Sequence, residues 1–313
     1  MIALAFPWVL ALLIAIVLIT LLKKRFVVSG IIVVFALLLN CWCECVALHF
    51  FSCVTNTDAR LSIKVMTWNI DGSEYDSLKV RTIVDVINEQ NPDAVYLAED
   101  FNLTAARLDQ IVKTKYPYST FPENDNGHVF YSKYPLVDVR IVEMEDYALP
   151  LRVHCRIIVD SVTMVIYGCH LASNNYTVDQ QDFHIDSVIN SLDAMMYLRN
   201  IKTASMLRVQ EVDAILADME QNVFENLIVM GDFNDVAGSE PLRKLSKAGF
   251  FDAWWKGGIG YGTTIHHPLP YRIDHVMYKG LKLKSIKKIN ADGLSDHDAL
   301  VLSLIHISSP RDA

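Results

Sequence analysis

Carboxylates, amides and imidazoles recur in this chain where runs of apolar residues end. Asn69 and Asp71 follow KVMTW, Glu99 and Asp100 follow AVYLA, His170 closes VIYGC, and Asp232 and Asn234 follow LIVMG. Further on come Arg272-Ile273-Asp274-His275 and Ser295-Asp296-His297-Asp298. Taken singly, each has a bland explanation. Asn69 or Asp71 can turn the chain, Glu99 can sit at a helix N-terminus, GDFND can be no more than a turn, and Asp-His pairs arise by chance. Taken together, with no serine or cysteine nucleophile motif among them, they form the inventory of a hard-metal hydrolase. The carboxylate oxygens suit Mg²⁺ or Mn²⁺, and the neutral donors suit a phosphate.

Such a set works only if regular elements bring it together, and the apolar patterning supplies them. Strands are predicted at Ile63–Trp68, Ala94–Ala98, His128–Ser132, Val137–Val142, Arg152–Val159, Val162–His170, Leu227–Gly231, Tyr271–Tyr278 and Leu281–Ile289. Val80, Ile83, Val84 and Ile87 have helical spacing within Ser77–Asn88, and Asn91-Pro92 stops that helix. Residues 178–219 read as long, helical and polar-faced. The strands at 152–159 and 162–170 follow one another so closely that they must pair as a hairpin, which argues against a purely parallel sheet. Two mixed sheets packed face to face with helices outside, a four-layer α-β-β-α sandwich, fit this order. The polar residues then fall in loops at strand ends, where sites are assembled.

The first part of the chain follows different rules. Of 313 residues, Ile2–Leu22 are apolar apart from Thr20, Lys23-Lys24-Arg25 follow, and a second apolar run extends from Phe26 to about Phe51. Each run is long enough to cross a bilayer as a helix, which takes about 20 residues. The predicted organisation is a transmembrane hairpin within 1–53 (helices at about 2–22 and 26–51), a linker at 54–62, a catalytic domain at 63–303 and a tail at 304–313. No basic segment precedes the first run, so it reads as a retained helix rather than a cleaved signal. The basic triplet belongs on the cytoplasmic side, which puts the domain outside the cytoplasm, periplasmic or extracellular. Cys41, Cys43, Cys45 and Cys53 lack the spacing of a zinc motif and read as small apolar residues of the second span. From residue 61 onward the chain carries 24 Lys and Arg against 34 Asp and Glu. That acidity disfavours sequence-independent binding of nucleic acid, which needs a basic surface. Residues 302–313 (LSLIHISSPRDA) read as a break in the strand pattern, resemble translated adapter sequence, and are assigned no chemistry.

KVMTWNIDG, DAVYLAED, a strand ending in His followed by LAS, IVMGDFND, YRIDHVMY and LSDHDAL together resemble the endonuclease/exonuclease/phosphatase (DNase I-like) superfamily, over roughly residues 63–303. The resemblance implies a divalent-metal-dependent hydrolase of phosphate esters using Mg²⁺ or Mn²⁺. It implies that Asn69 and Glu99 are metal-site residues with Glu99 the main ligand, and that Asp71 and Asp296 are further acidic positions of that site. It assigns His170 to the phosphate or leaving group, Asp232 to the attacking water, Asn234 to orienting the phosphate, and Asp274 to fixing the tautomer of His297. Nucleic acid, phospholipid and inositol phosphate all remain open as substrates, because the shared residues do not distinguish them. The alternative is a membrane-tethered binding module with the same fold and little or no activity. The presence of Glu99, Asp232 and His297 weighs against it.

Overall fold

The computed structural model describes residues 2–49, 61–72, 76–100, 108, 112–120, 127–142, 144, 152–159, 162–174, 191–221, 224–266, 269–291 and 293–306. The linker prediction lies almost wholly outside them, as do Cys53, residues 178–190 of the predicted long helix, and the end of the tail. Two helices, α1 (Ile2–Leu22) and α2 (Phe26–Cys43), come first, then β1 (Ala47–Leu48). The domain continues with β2 (Ser62–Asn69), α3 (Ser77–Gln90), β3 (Ala94–Asp100), β4 (Tyr118–Ser119), β5 (Gly127–Ser132), β6 (Leu136–Ile141), β7 (Arg152–Val159) and β8 (Val162–His170). After these come α4 (Ser191–Glu220), β9 (Leu227–Asp232), α5 (Glu240–Lys247), β10 (Phe251–Asp252), α6 (Ala253–Gly257) and β11 (Ile259–Gly260). The last elements are β12 (Asp274–Lys279), β13 (Leu281–Ile289) and β14 (Ala299–His306).

Two six-stranded sheets form, in the orders β10-β12-β9-β8-β7-β6 and β13-β14-β2-β3-β5-β4. Each is mixed: β2–β3 and β8–β9 run parallel and their other neighbours antiparallel. Strand alternation sends Ile63, Val65, Tyr96, Ile166, Ile228, Met230, Leu300 and Leu302 into the core between the sheets. The opposite faces of the same strands carry Met66, Trp68, Val95 and Leu97, which pack on the Val80, Ile83, Val84 and Ile87 stripe of α3. The Asp76 side chain caps that helix by accepting from the Leu78 N–H at 2.8 Å, and Asn91 ends it in a left-handed conformation. On the other outer face Val165, Val229 and Phe233 pack with Val212 and Ile215 of α4 and with Leu242 and Leu245 of α5. Burying each such Val, Ile or Leu stabilises the fold by roughly 1.5–3 kcal/mol, so helices cover both outer faces. The chain has the predicted α/β fold of two mixed sheets flanked by helices.

Three segments differ from their sequence-based expectation. The second apolar helix stops at Cys43 rather than near Phe51. Glu44 turns left-handed, and the Asn40 side chain both donates to the Val46 carbonyl and accepts from its N–H at 2.8 Å. This local capping lets Ala47–Leu48 pair with Ile259–Gly260 as strands. The strand expected from Tyr271 begins at Asp274, because Thr264 Oγ1 accepts both the Ile273 and Asp274 N–H groups at 3.1 Å. The supposed break at Leu302 is absent: β14 runs to His306 with a strand on either side. A central strand buries both faces, so its near-continuous apolar run is the pattern of a buried strand rather than of a tail. The helices α5 and α6 and the strands β1, β4, β10, β11 and β14 went unpredicted.

Candidate active site

The ends of β2, β3, β8 and β9, the start of β12 and the turn before β14 meet at one end of the sandwich. Register decides which side chains meet: His170 lies beside Asp232, and Asp274 lies beside Asp232 on the other flank. Gly231 (φ +141°) permits this, since a Cβ there would meet the Cys169 carbonyl of β8 at 1.9 Å. On the other sheet a bulge between Ala98 and Asp100 leaves Glu99 at φ 57° and frees it from the β3–β5 ladder. A non-glycine residue in that region is uncommon and strained, a cost that sites tolerate to aim a side chain.

Asn69 joins the two sheets. Its Nδ2 donates to Glu99 Oε1 at 2.9 Å and to Asp232 Oδ2 at 3.3 Å, while its Oδ1 accepts from the Asp71 N–H at 3.1 Å. Asn69 therefore meets Glu99 as a hydrogen-bond donor that fixes the carboxylate. His170 Nε2 stands 3.5 Å from Glu99 Oε1 and 3.6 Å from Asp232 Oδ2. The nearly inaccessible Asp232 is held by the Asn234 N–H, which donates to Oδ1 at 2.8 Å. His297 closes the cluster, with Nδ1 2.8 Å from Asp274 Oδ2 and Nε2 3.7 Å from Asp232 Oδ2. Burial lowers the affinity of His297 for a proton, but the carboxylates of Asp274 and Asp232 outweigh it and hold the pKa up at about 10. The imidazole is thus protonated at neutral pH, with Nδ1–H directed at Asp274 and Nε2–H turned towards Asp232.

Six of the nine residues singled out from sequence are therefore in direct contact: Asn69, Glu99, His170, Asp232, Asp274 and His297. The other three occupy the margin. Asn234 adjoins through its backbone, and its Nδ2 donates to the Leu171 carbonyl at 2.9 Å, tying the loop after β9 to the loop after β8. Asp71 stands 4.0 Å from Lys79, whose ammonium also donates to the Asp71 carbonyl at 2.6 Å. Asp296 is exposed at the rim, near enough to help raise His297.

Sequence reasoning missed the residues that hold these loops. Arg208 of α4, 1 % exposed, donates to the carbonyls of Asn234 (2.6 Å) and Ala172 (3.1 Å) and pairs with Asp235 at 3.1 Å. Glu211, one turn on, accepts from the Ala172 N–H at 2.9 Å. The usable signal was two charges on the helical stripe of Ile201, Ala204, Val212 and Ile215. Ser295, quoted in its sequence run without a role, donates to the Asn69 carbonyl at 2.7 Å and accepts from the His297 N–H at 3.0 Å, pinning the histidine to the end of β2.

Two features bear on a cation. Donor atoms of Asp232, Asp274 and His297 lie within 4.8 Å of one another, but the short Nδ1–Oδ2 contact is a hydrogen bond and occupies both partners. Glu99 and Asp232 have no Lys or Arg ion pair among the described residues, and Glu99 remains partly open to the cleft. Two hard oxygen donors with imidazole counter-charge only are a fit for a divalent cation at Glu99.

The family model described as the endonuclease/exonuclease/phosphatase family matches residues 66–297. The chain belongs to this family. Among solved structures, D. rerio TDP2 complexed with a single-strand DNA product is similar at 15% identity and TM-score 0.58, covering 78% of this chain and 98% of that one. C. elegans TDP2 is similar at 18% identity and TM-score 0.56, covering 80% and 78%. An endonuclease/exonuclease/phosphatase from Beutenbergia cavernae is similar at 18% and 0.55, covering 79% and 72%. At these identities the likeness concerns the fold. Comparison with curated protein sequences finds no match. The family is one of metal-dependent phosphoesterases and nucleases, and the cluster at the strand ends lies within the matched segment.

Proposed function

We propose that this protein is a divalent-metal-dependent hydrolase of phosphate esters, tethered to a membrane by its N-terminal hairpin, in which water attacks phosphorus directly. The observation that carries the reading is the continuous network Glu99–Asn69–Asp232–His297–Asp274, with His170 facing both Glu99 and Asp232. Among the described residues, Ser295 Oγ is engaged by two backbone groups and Cys155 and Cys169 are fully buried, so none of these three competes with water.

Glu99 is the residue that would hold Mg²⁺ or Mn²⁺, with Asn69 orienting its carboxylate and Asp71 and Asp296 adding negative charge at the margin. When bound, the cation neutralises phosphoryl oxygens and stabilises the charge that develops on them. Asp232, its Oδ1 fixed by the Asn234 N–H, accepts the proton that water loses. His297, kept cationic and oriented by Asp274, donates from Nε2 to a phosphoryl oxygen. His170 faces the leaving oxygen, and Arg208 and Asn234 hold the loops that carry Asp232 and His170 in place.

Membrane tethering rests on the surface of α1 and α2. Leu12, Leu18, Leu22, Val27, Ile31 and Leu38 are exposed, and both helices are long and apolar enough to cross a bilayer. A core helix of a soluble protein would bury such a face. With Lys23–Arg25 inside, the domain lies on the extracytoplasmic side. The direct test is release of p-nitrophenol from bis(p-nitrophenyl) phosphate by the full-length protein in detergent. Turnover should require Mg²⁺ or Mn²⁺ and stop with EDTA. Undiminished turnover in EDTA, or none with either metal, refutes the hydrolase mechanism.

A further inference from the structure

The hairpin and the candidate site share one end of the sandwich. The first turns of α1 and the last turn of α2 pack on Ala237, with Phe6, Cys43 and Cys45 buried around it. Gly238 (φ +77°) makes this approach possible, since a Cβ there would lie 2.8 Å from the Cys43 carbonyl. Tyr271 Oη donates to the Leu4 carbonyl at 3.3 Å, and Arg272 Nη2 donates to the Glu44 carbonyl at 3.2 Å. β1 then pairs with β11. These contacts fall on two segments that also carry the site: Ala237 and Gly238 follow Asn234, and Tyr271 and Arg272 precede Asp274. Four residues or fewer separate them, and at ~3.3–3.6 Å per residue the junction lies within roughly 15 Å of Asn234 and Asp274.

The surface around this junction is dressed for a bilayer boundary. Trp42, Leu48, Ile259 and Leu269 are each 41–59% exposed. Leu48 and Ile259 are register partners, and Leu269 lies just before Tyr271. Arg243 of α5 stacks 4.0 Å over the Trp42 ring and has no carboxylate ion pair among the described residues. Scattered exposed apolar residues are ordinary. Trp42, Leu48, Ile259 and Leu269 lie on segments at or near the entry of the two exposed apolar helices into the domain, and with the Arg243 guanidinium on Trp42 they have the composition of the amphipathic belts found at headgroup depth.

We propose that the mouth of the candidate site opens onto the headgroup layer of the leaflet that the hairpin enters, and that its substrate is a phosphate ester carried by a membrane lipid. The proposal rests on the hydrolase reading above. A headgroup layer is roughly 5–8 Å deep on each side of the hydrocarbon core, so a lipid phosphate beside the collar needs no extraction into bulk water to reach the cleft. Hydrolysis balances without a further reactant: the oxygen of water bonds to phosphorus, one ester P–O bond breaks, and the proton lost by water is matched by the one gained by the leaving oxygen. Nucleic acid is the disfavoured alternative, since the domain from residue 61 carries 24 basic against 34 acidic residues and the bilayer occupies the approach.

The test uses full-length protein in vesicles of mixed phosphatidylcholine and phosphatidylglycerol, with Cys41→Ser and Cys53→Ser so that the introduced cysteine is the thiol that is labelled. A fluorophore on Leu269→Cys should be quenched by lipids spin-labelled at the headgroup, whereas one on Glu225→Cys, before β9 at the opposite end of the sandwich, should not. Equal quenching at both positions, or none at residue 269, overturns the orientation whatever the activity. In the same vesicles with Mg²⁺, Ile259→Glu should lower hydrolysis of bilayer-embedded phospholipid roughly tenfold, the worth of withdrawing one large apolar side chain from lipid. Hydrolysis of soluble bis(p-nitrophenyl) phosphate should stay within about twofold. Turnover of the soluble ester or of single-stranded DNA without turnover of embedded phospholipid overturns the lipid assignment and leaves the hydrolase reading standing. Failure on every ester removes the hydrolase reading and the lipid assignment together, while the quenching result still decides the orientation.

Discussion

Two buried histidine–aspartate pairs lie on neighbouring residues of the same strand, and they do opposite things. His275 Nδ1 stands 3.4 Å from Asp252 Oδ2, and the same oxygen accepts from Arg272 at 2.8 Å. The other ring nitrogen of His275 meets the Asp235 carbonyl at 3.0 Å. Both imidazole nitrogens are used, and the carboxylate has a guanidinium partner that, against the cost of burial, holds its pKa well below the ordinary range. His297 binds Asp274 more closely, through Nδ1 at 2.8 Å, but among the described residues its Nε2 faces Asp232 alone, at 3.7 Å, beyond hydrogen-bond length. The difference between a structural pair and a reactive one is the unsatisfied donor. Strand alternation separates them, since Asp274 and His275 point to opposite faces of β12.

Breaking the structural pair should have the largest effect, and on stability. Arg272→Met leaves the buried Asp252 carboxylate without its cation, and losses of that kind cost about 3–5 kcal/mol. Thermal unfolding in detergent should show a matching fall in midpoint, with turnover per folded molecule reduced far less than stability. The reactive pair should also show in the chemistry. His297→Ala removes a donor aimed at the phosphoryl oxygens and should lower kcat per folded molecule by about 10²–10³, while also lowering the midpoint of unfolding at neutral pH, because buried Asp274 loses its cationic partner. Asp274→Asn should fall between this variant and the parent, because the imidazole remains while its charge and tautomer are no longer fixed. Equal kcat for parent and His297→Ala would make both pairs structural.

What was legible beforehand follows the same division. Asn69, Glu99, His170 and Asp232 end apolar strands, so local pattern alone marks them, and they do converge. The supports of the site are not local. Arg208 reaches Asn234 and Ala172 from a helix distant in sequence from both, and only the fold reveals that its charge turns inward. The end of α2 was hidden because apolar composition continues past Cys43, whereas the chain is turned by Glu44 and by the Asn40–Val46 hydrogen bonds. β14 was misread for a related reason. Leu300, Leu302 and Leu304 face the inner core while Ala299 and Val301 face α3, so a strand buried on both sides shows no alternation to recognise.

A third buried histidine sharpens the comparison because burial is the first influence on its charge. His128 of β5 meets the Tyr96 hydroxyl through Nδ1 at 2.8 Å and lies edge-on to His170 with ring centres 5.9 Å apart. Burial first, and the neighbouring His170 second, push its pKa down to about 3, whereas Asp274 and Asp232 push His297 up to about 10. The two shifts tilt stability in opposite directions. Below the unfolded value of about 6.5, the unfolded chain takes up a proton that folded His128 refuses. Stability should therefore fall as pH drops from about 6.5 towards 3, by up to about 1.4 kcal/mol per pH unit from this group. For His297 the folded state holds the extra proton, so its contribution is complete below about 6.5 and disappears as pH rises towards about 10. Denaturant midpoints across pH, measured in EDTA to remove bound cations, should show both limbs. His128→Phe should flatten the acid limb and leave the alkaline one, and His297→Ala the reverse. Asp252, with its lowered pKa, contributes only below about 4, where the unfolded chain protonates it, so the difference between parent and His128→Phe from 6.5 down to 4.5 reads His128. Unchanged slopes in His128→Phe across that window would mean that the buried ring is protonated in the folded state, and that burial does not set the charge of His128.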